Sequence, residues 1–226
     1  MSVEVRLTGA LKFEAGQFML VQIPGIPGYR AWSMVNFGRD PATLEFVLKK
    51  KPGGRVTEWL FGNSCVDTPI ELFGPLGHAT FSPALKRDLL FIAGGTGIAG
   101  VMSILSCATD SGHFDEYSGD VFFGIREEKD LFFLDRLSQF HELAGDKLRI
   151  YIAFSEQAAP EALQSLHPSL NFETGMVHSV AARIMQGRLS KYKAYIAGSP
   201  LLVNAAIGTL LQARVPADSI SYDKFG

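Results

Sequence analysis

The sequence predicts a β plus α/β chain: a small antiparallel β-barrel over residues 1–85, then a parallel-sheet α/β domain over residues 86–226. Three observations predict it. The chain has 226 residues, 47% hydrophobic against 19% charged, enough for two compact domains of about 100 residues each. Up to about residue 82, short apolar runs alternate with Gly/Pro turns. From Lys86 onward, apolar strands alternate with helical patterns, as in a parallel sheet covered by helices on both faces.

Taken in order, residues 18–23 (FMLVQI) form an apolar strand closed by Pro24, Gly25, Pro27 and Gly28. Residues 44–48 alternate, with Leu44, Phe46 and Leu48 on one face. Residues 70–73 form another strand, stopped by Gly74 and Pro75. A short helix begins at Thr57, whose hydroxyl suits an N-cap. In the second part, residues 89–93, 121–124, 148–154 and 194–197 read as strands. Residues 98–108, 132–142, 177–185 and 201–213 read as helices.

Composition narrows the function classes. A formal net charge of −2 leaves no basic footprint for nucleic acid or an anionic membrane surface. The apolar stretch 89–105 is too short and Gly-rich for a membrane span, and the first residues lack a signal pattern. A cytoplasmic location is expected. Cys65 and Cys107 exclude a disulfide framework and a four-cysteine cluster, and read as buried thiols. The five histidines lack ligand spacing, so no metal site is expected.

Three segments carry candidate chemistry. Gly95, Gly97 and Gly100 satisfy Gly-x-Gly-x-x-Gly between a strand and a helix, where backbone N–H groups and the helix dipole favour a pyrophosphate. A tight strand–helix turn without a ligand satisfies the same spacing. Arg30, Ala31, Trp32 and Ser33 bring a phosphate-binding guanidinium, an aromatic and a hydroxyl within four residues. The same four residues equally describe an exposed arginine beside a core tryptophan. Gly53, Gly54, Arg55, Val56 and Thr57 lead into the short helix, and by themselves describe an ordinary turn.

The order of these segments resembles the flavin and nicotinamide domains of the ferredoxin–NADP reductase superfamily. It is most similar to the reductase components of bacterial multicomponent oxygenases, particularly diiron aromatic monooxygenases. The carrying segments are Ala15-Gly16-Gln17-Phe18, Arg30 to Ser33, Gly54 to Thr57, Gly74-Pro75-Leu76-Gly77, Gly94 to Gly100, Phe123 to Arg126, Ala197 to Pro200 and Asp223-Lys224-Phe225. The chain departs from the family pattern at Trp32 (usually tyrosine), Gly100 (usually proline) and Ala197 (usually cysteine).

The resemblance implies an FAD-binding barrel followed by a Rossmann-like NAD(P)-binding domain. It implies hydride transfer from nicotinamide C4 to flavin N5, then one-electron transfer to a [2Fe–2S] ferredoxin centre feeding an oxygenase in aromatic hydrocarbon catabolism. It places Arg30 and residues 53–57 on the FAD pyrophosphate, Trp32 against the isoalloxazine and Ser33 on N5. Phe46, Val47, Leu48 and Lys49 would follow the ribityl and adenosine part. Thr96, Gly198 and Ser199 would frame nicotinamide, with Gly95 and Gly97 in the Gly94–Gly100 loop of the nicotinamide-binding domain, and Phe225 would cover the other flavin face. Ser33 and Phe225 are the implied catalytic pair. Glu127 and Glu128 follow the second strand of the nicotinamide domain, where a carboxylate favours a ribose 2′-hydroxyl, so NADH is expected over NADPH; Arg126 argues the other way.

Two further expectations follow. The abrupt start at Met1 reads as a flavin–nicotinamide fragment of a longer reductase, its ferredoxin being a separate domain or protein. The competing functions are a free flavin reductase and a non-catalytic flavin-binding module.

Overall fold

The computed structural model describes residues 1–38, 41–62 and 65–225. The first part holds β1 (Ser2–Arg6), β2 (Phe18–Gln22), β3 (Arg30–Ser33), β4 (Thr43–Val47), α1 (Arg55–Gly62) and β5 (Glu71–Leu76). Its pairings are antiparallel, β1 with β4 and β3-β2-β5. The Val35 N–H donates to the Glu45 carbonyl (2.8 Å) and links the end of β3 to β4. Period-two alternation sends Met19 and Val21 of β2 and Leu44 and Phe46 of β4 into one core with Trp32.

The second part runs β6 (Leu89–Gly94), α2 (Ile98–Asp110), α3 (His113–Glu116), β7 (Gly119–Ile125), α4 (Leu134–Ala144) and β8 (Leu148–Phe154). It continues with α5 (Glu161–Leu166), β9 (Asn171–Thr174), α6 (Val177–Ile184), β10 (Lys193–Gly198), α7 (Pro200–Gln212) and β11 (Ile220–Lys224). All six strands are parallel, in the order β11-β10-β6-β7-β8-β9. Alternate residues of β6 serve opposite layers. Leu89, Phe91 and Ala93 pack with Met102, Leu105 and Leu137 of α2 and α4. Leu90 and Ile92 pack with Val180, Val203 and Leu210 of α6 and α7. The α2/α4 layer also takes Ala15, Val35 and Phe81 from the first part, so the barrel strands lean on that face.

Three expectations change. β5 does not stop at Gly74-Pro75 but continues to Leu76. The β2–β5 register shifts between Phe18 and Leu20, and this bulge takes up the residue whose nitrogen has no proton to donate. Helix α1 starts at Arg55, so Thr57 is not its N-cap. The Thr57 hydroxyl instead ties the preceding turn, accepting from the Lys51 N–H (3.1 Å) and donating to the Gly54 carbonyl (3.0 Å). Cys107 is buried but Cys65 only half-buried. Burial pushes the Cys107 thiol up to about 11, so it stays protonated and unreactive. Among the described residues no helix is long and apolar enough to cross a membrane.

Candidate active site

The sheet order reverses between β6 and β10, and in open parallel sheets ligands bind beyond the carboxyl ends of strands at such a point. Both strands end there in glycine. After β6, Gly95, Thr96 and Gly97 form a tight turn leading into α2. Gly95 has φ +53° with open space where a side chain would stand. A Cβ on Gly97 would lie 2.5 Å from the Ala197 carbonyl oxygen, so glycine lets α2 begin directly against the end of β10. Gly100 approaches the backbone of Gly16 in the first part. The three glycines therefore serve a turn, a strand contact and an interdomain contact.

After β10, Ser199 caps α7, its Oγ accepting from the Leu202 N–H (3.4 Å), with Pro200 in the first turn. The Phe225 N–H donates to the Gly198 carbonyl (2.9 Å), which pins the C-terminal aromatic over the same strand end. Asp223, two residues earlier, is half-buried; burial raises its pKa, and a nearby His78 opposes the rise.

The Gly95–Gly97 turn, Gly198, Ser199 and Phe225 open onto one cleft of about 1040 Å³ that runs between the two parts of the chain. Val47, Leu48 and Lys49, at the end of β4, form the facing wall. Further along the sheet, Arg126 and Glu156 line the cleft as an exposed pair (3.5 Å), beside Ser155. Lys49 crosses the cleft to Asp130 (2.7 Å), both being lining residues. That hydrogen bond lowers the Asp130 carboxyl pKa more than burial raises it.

The structure thus brings ten of the expected residues to one cavity: Val47, Leu48, Lys49, Gly95, Thr96 and Gly97 on one hand, Arg126, Gly198, Ser199 and Phe225 on the other. The others lie off its wall. Arg30 and Ala31 are exposed on β3, and the Arg30 guanidinium donates to the Tyr29 carbonyl (2.8 Å). Ser33 is 8% exposed. Gly53, Gly54, Arg55, Val56 and Thr57 form the turn and first residues of α1, with Val56 facing the core.

Three side chains stand elsewhere than expected. Trp32 presents no stacking face; it is 6% exposed, inside the core and edge-on to Phe46. Its strand partner Met19 is a core residue, and alternation turns Trp32 the same way. Phe46 is fully buried, so only its backbone reaches the outer face of β4. Glu127 does not line the cleft and is tied to Lys129 (2.6 Å). The carboxylate that stands on the wall beside Arg126 is Glu156, two residues beyond the end of β8. The missed signal is the strand-end rule applied to the third strand of the sheet as well as the second.

The residues fit a flavin dinucleotide and a nicotinamide dinucleotide. The Gly53 N–H already holds an anionic oxygen, Oε1 of Glu58 (2.9 Å), so the donor chemistry at the start of α1 suits phosphate. The cleft slightly exceeds the usual volume for one drug-sized ligand.

Comparison with known proteins agrees with this geometry. The chain matches the oxidoreductase FAD-binding domain over residues 3–81 and the oxidoreductase NAD-binding domain over residues 91–207. It is 33% identical to the ferredoxin–NAD(P)(+) reductase CarAd of Metapseudomonas resinovorans, covering 100% of this chain and 64% of that protein. It is 31% identical to the propane 2-monooxygenase reductase component of Mycolicibacterium goodii, covering 96% of this chain and 60% of that one. A solved ferredoxin reductase in carbazole 1,9a-dioxygenase superposes with a TM-score of 0.83 at 29% identity, covering 100% of this chain and 64% of that one. The chain therefore spans about three-fifths of the length of these relatives. With an FAD-binding and a NAD-binding oxidoreductase domain meeting at a shared cleft, the chain belongs to the ferredoxin–NADP reductase superfamily.

Proposed function

We propose that this chain is the flavin–nicotinamide reductase portion of an oxygenase system, oxidising NADH and passing electrons singly to a [2Fe–2S] ferredoxin centre. The observation that carries this reading is the shared cleft, where the Gly95–Gly97 turn, Gly198 and Phe225 face the end of β4. When bound, FAD would supply a two-electron acceptor for hydride and a one-electron donor for the next carrier.

The chain's own residues have three tasks. The first is holding the cofactors, by the start of α1 and Arg30 for FAD and by the β6 and β10 strand ends for nicotinamide. Backbone N–H groups at the first turn of α1 and the Arg30 guanidinium meet the pyrophosphate charge. The second task is orientation. The Gly95–Gly97 turn and Ser199 would set the depth of nicotinamide, Ser33 would offer a hydroxyl to the flavin, and the donor and acceptor atoms must come within about 3–3.5 Å. The third is access: Phe225, pinned only through its backbone, shifts its ring to admit nicotinamide.

Glu156 supports the NADH preference. A carboxylate there accepts from a ribose 2′-hydroxyl and repels a 2′-phosphate, while its pairing with Arg126 keeps that guanidinium from a phosphate. Two cysteines cannot supply the four thiolates of a plant-type cluster, so the proposed acceptor centre belongs to another domain or protein. The test is anaerobic addition of NADH to the FAD-loaded protein. Rapid bleaching of the flavin, with reduction of small artificial acceptors, is expected. A flavin that stays yellow under NADH overturns the reading in favour of a binding module.

A further inference from the structure

Two groups suited to a phosphate are engaged by carboxylates of the chain itself. Lys49, two residues beyond β4, reaches across the cleft to Asp130, with Nζ 2.7 Å from Oδ1. The Gly53 N–H, in the turn before α1, donates to Oε1 of Glu58 on that helix (2.9 Å). The first contact joins the two parts of the chain; the second lies within the first part. At Gly53 nothing stands within 4 Å of where a Cβ would be, so that side of the turn is open.

The neighbouring cations are unequally paired. Lys129, next to Asp130, is taken by Glu127 (2.6 Å). Lys50 and Lys51 pair with no carboxylate among the described residues, and Lys50 lines the cleft beside Lys49. A phosphate drawn to this lysine run meets Lys50 and Lys51 free, and Lys49 and the Gly53 N–H occupied. The Lys49 bond outweighs burial and lowers the Asp130 pKa, so Asp130 competes as an anion. The contact is still exchangeable. The lysine side chain is 64% exposed, and pairs of that kind are worth at most about a fivefold preference, less than a multiply charged phosphate with several acceptor oxygens offers.

Resting on the reading above, we propose that Asp130 and Glu58 are built-in place-holders for cofactor phosphate. A phosphate enters by exchanging with these carboxylates at Lys49 and at the Gly53 N–H, and the Lys49–Asp130 contact is a strap across the cleft that loading opens. The chain's own carboxylates thus inhibit loading competitively, and the apparent affinity falls with the fraction of molecules in which they are engaged. The device has a direction of its own: neutralising the carboxylate tightens cofactor binding. A carboxylate that accepts a hydrogen bond from the cofactor weakens binding when neutralised, and a tie that only orders the domains does not tighten it.

The experiment titrates the flavin-stripped full chain with FAD, following flavin fluorescence, in the wild type, Asp130→Asn, Glu58→Gln, Lys49→Met and the double variant Lys49→Met/Asp130→Asn. The two carboxylate replacements are isosteric, and circular dichroism checks the fold of each variant. The FAD Kd is expected to fall about two- to fivefold in Asp130→Asn and in Glu58→Gln, with faster association in stopped flow. In the Lys49→Met background Asp130→Asn should gain nothing, because the strap is already gone. A gain that persists there is bulk charge and overturns the inference, as does FAD binding that is unchanged or weakened by Asp130→Asn. Unchanged binding in Glu58→Gln overturns it for that carboxylate, which then only caps the helix. A wild type that binds no flavin overturns the functional reading itself.

Discussion

Two side chains carry predictions that belong to no strand or helix as a whole. Glu156 is the first. Its carboxylate holds Arg126 at 3.5 Å, both exposed, so the pair itself adds little stability. On the proposed reading its weight is in selection: replacing it with arginine would put a cation where an anion would meet a 2′-phosphate. Glu156→Arg is expected to raise the NADPH:NADH ratio of kcat/KM by about tenfold or more, ~1.4 kcal/mol in differential binding. Steady-state kinetics with both cofactors check it, and an unmoved ratio would assign selection elsewhere. Asp223 is the second. Burial raises its pKa above the ordinary 3.8, so the folded chain binds that proton more tightly than the unfolded chain. The carboxylate then costs stability as pH rises from 3.8 through the raised value, and the cost is complete above it. Asp223→Asn removes that cost. Its melting temperature should exceed the wild type's at pH 7, with a gap that narrows steadily toward pH 4; a gap independent of pH counts against burial as the cause.

Elements were more legible in the sequence than side-chain roles. The inner strands β6, β7 and β8 are covered on both faces and announce themselves as apolar runs. The edge strands β9 (NFET) and β11 (ISYDK) are half-exposed and carry polar residues, so no such run marks them. For the candidate site, glycine spacing located the β6 strand end, because backbone approach leaves a residue-type signature, whereas the β10 end came from the resemblance to the family. Trp32 shows where that ends. Which face of β3 points inward is set by pairing with Met19 of β2, a tertiary fact that four residues of sequence do not contain. The backbone-approach argument can be tested directly. A Cβ on Gly97 would stand 2.5 Å from the Ala197 oxygen and 2.7 Å from its carbonyl carbon, backbone atoms of β10 that cannot swing aside. Gly97→Ala should cost about 2 kcal/mol, roughly 4–8 °C in melting temperature. Gly208, within α7 and with open space around it, is the control. Gly208→Ala should be stabilising, by about 0.4–1 kcal/mol. Equal losses at both positions would mean that the loss is not due to the contact with β10.

At the scale of the whole molecule, the proposed hydride transfer would require the two parts of the chain to hold their ligands within bonding reach, so the rigidity of their interface would itself be a functional quantity. That interface has an apolar floor, where Ala15, Val35 and Phe81 enter the α2/α4 layer. Polar ties lie around it: the Tyr195 hydroxyl donates to the Thr80 carbonyl (3.1 Å), Lys49 pairs with Asp130, and Arg136 pairs with Glu45. The Arg136–Glu45 contact is the strongest candidate among these ties. One guanidinium nitrogen lies 2.8 Å from both carboxylate oxygens, the carboxylate side chain is only 19% exposed, and Ser2 Oγ donates to the same carboxylate (3.0 Å). Partial burial limits screening by salt, and charge-assisted hydrogen bonds of this kind are worth about 1.5–3 kcal/mol. Truncating the arginine also strips the cation from the Phe133 ring and leaves Glu45 without its cationic partner, only Ser2 still donating to it. Neither domain core loses an apolar contact in the process, so each part should keep its own fold. Arg136→Ala is therefore expected to lower the first calorimetric transition by several degrees and to separate it from the second, while far-ultraviolet circular dichroism stays unchanged. Added FAD should bring the two transitions back together if the flavin bridges the domains. A single transition at the wild-type temperature would show that the apolar floor alone sets the geometry of the cleft.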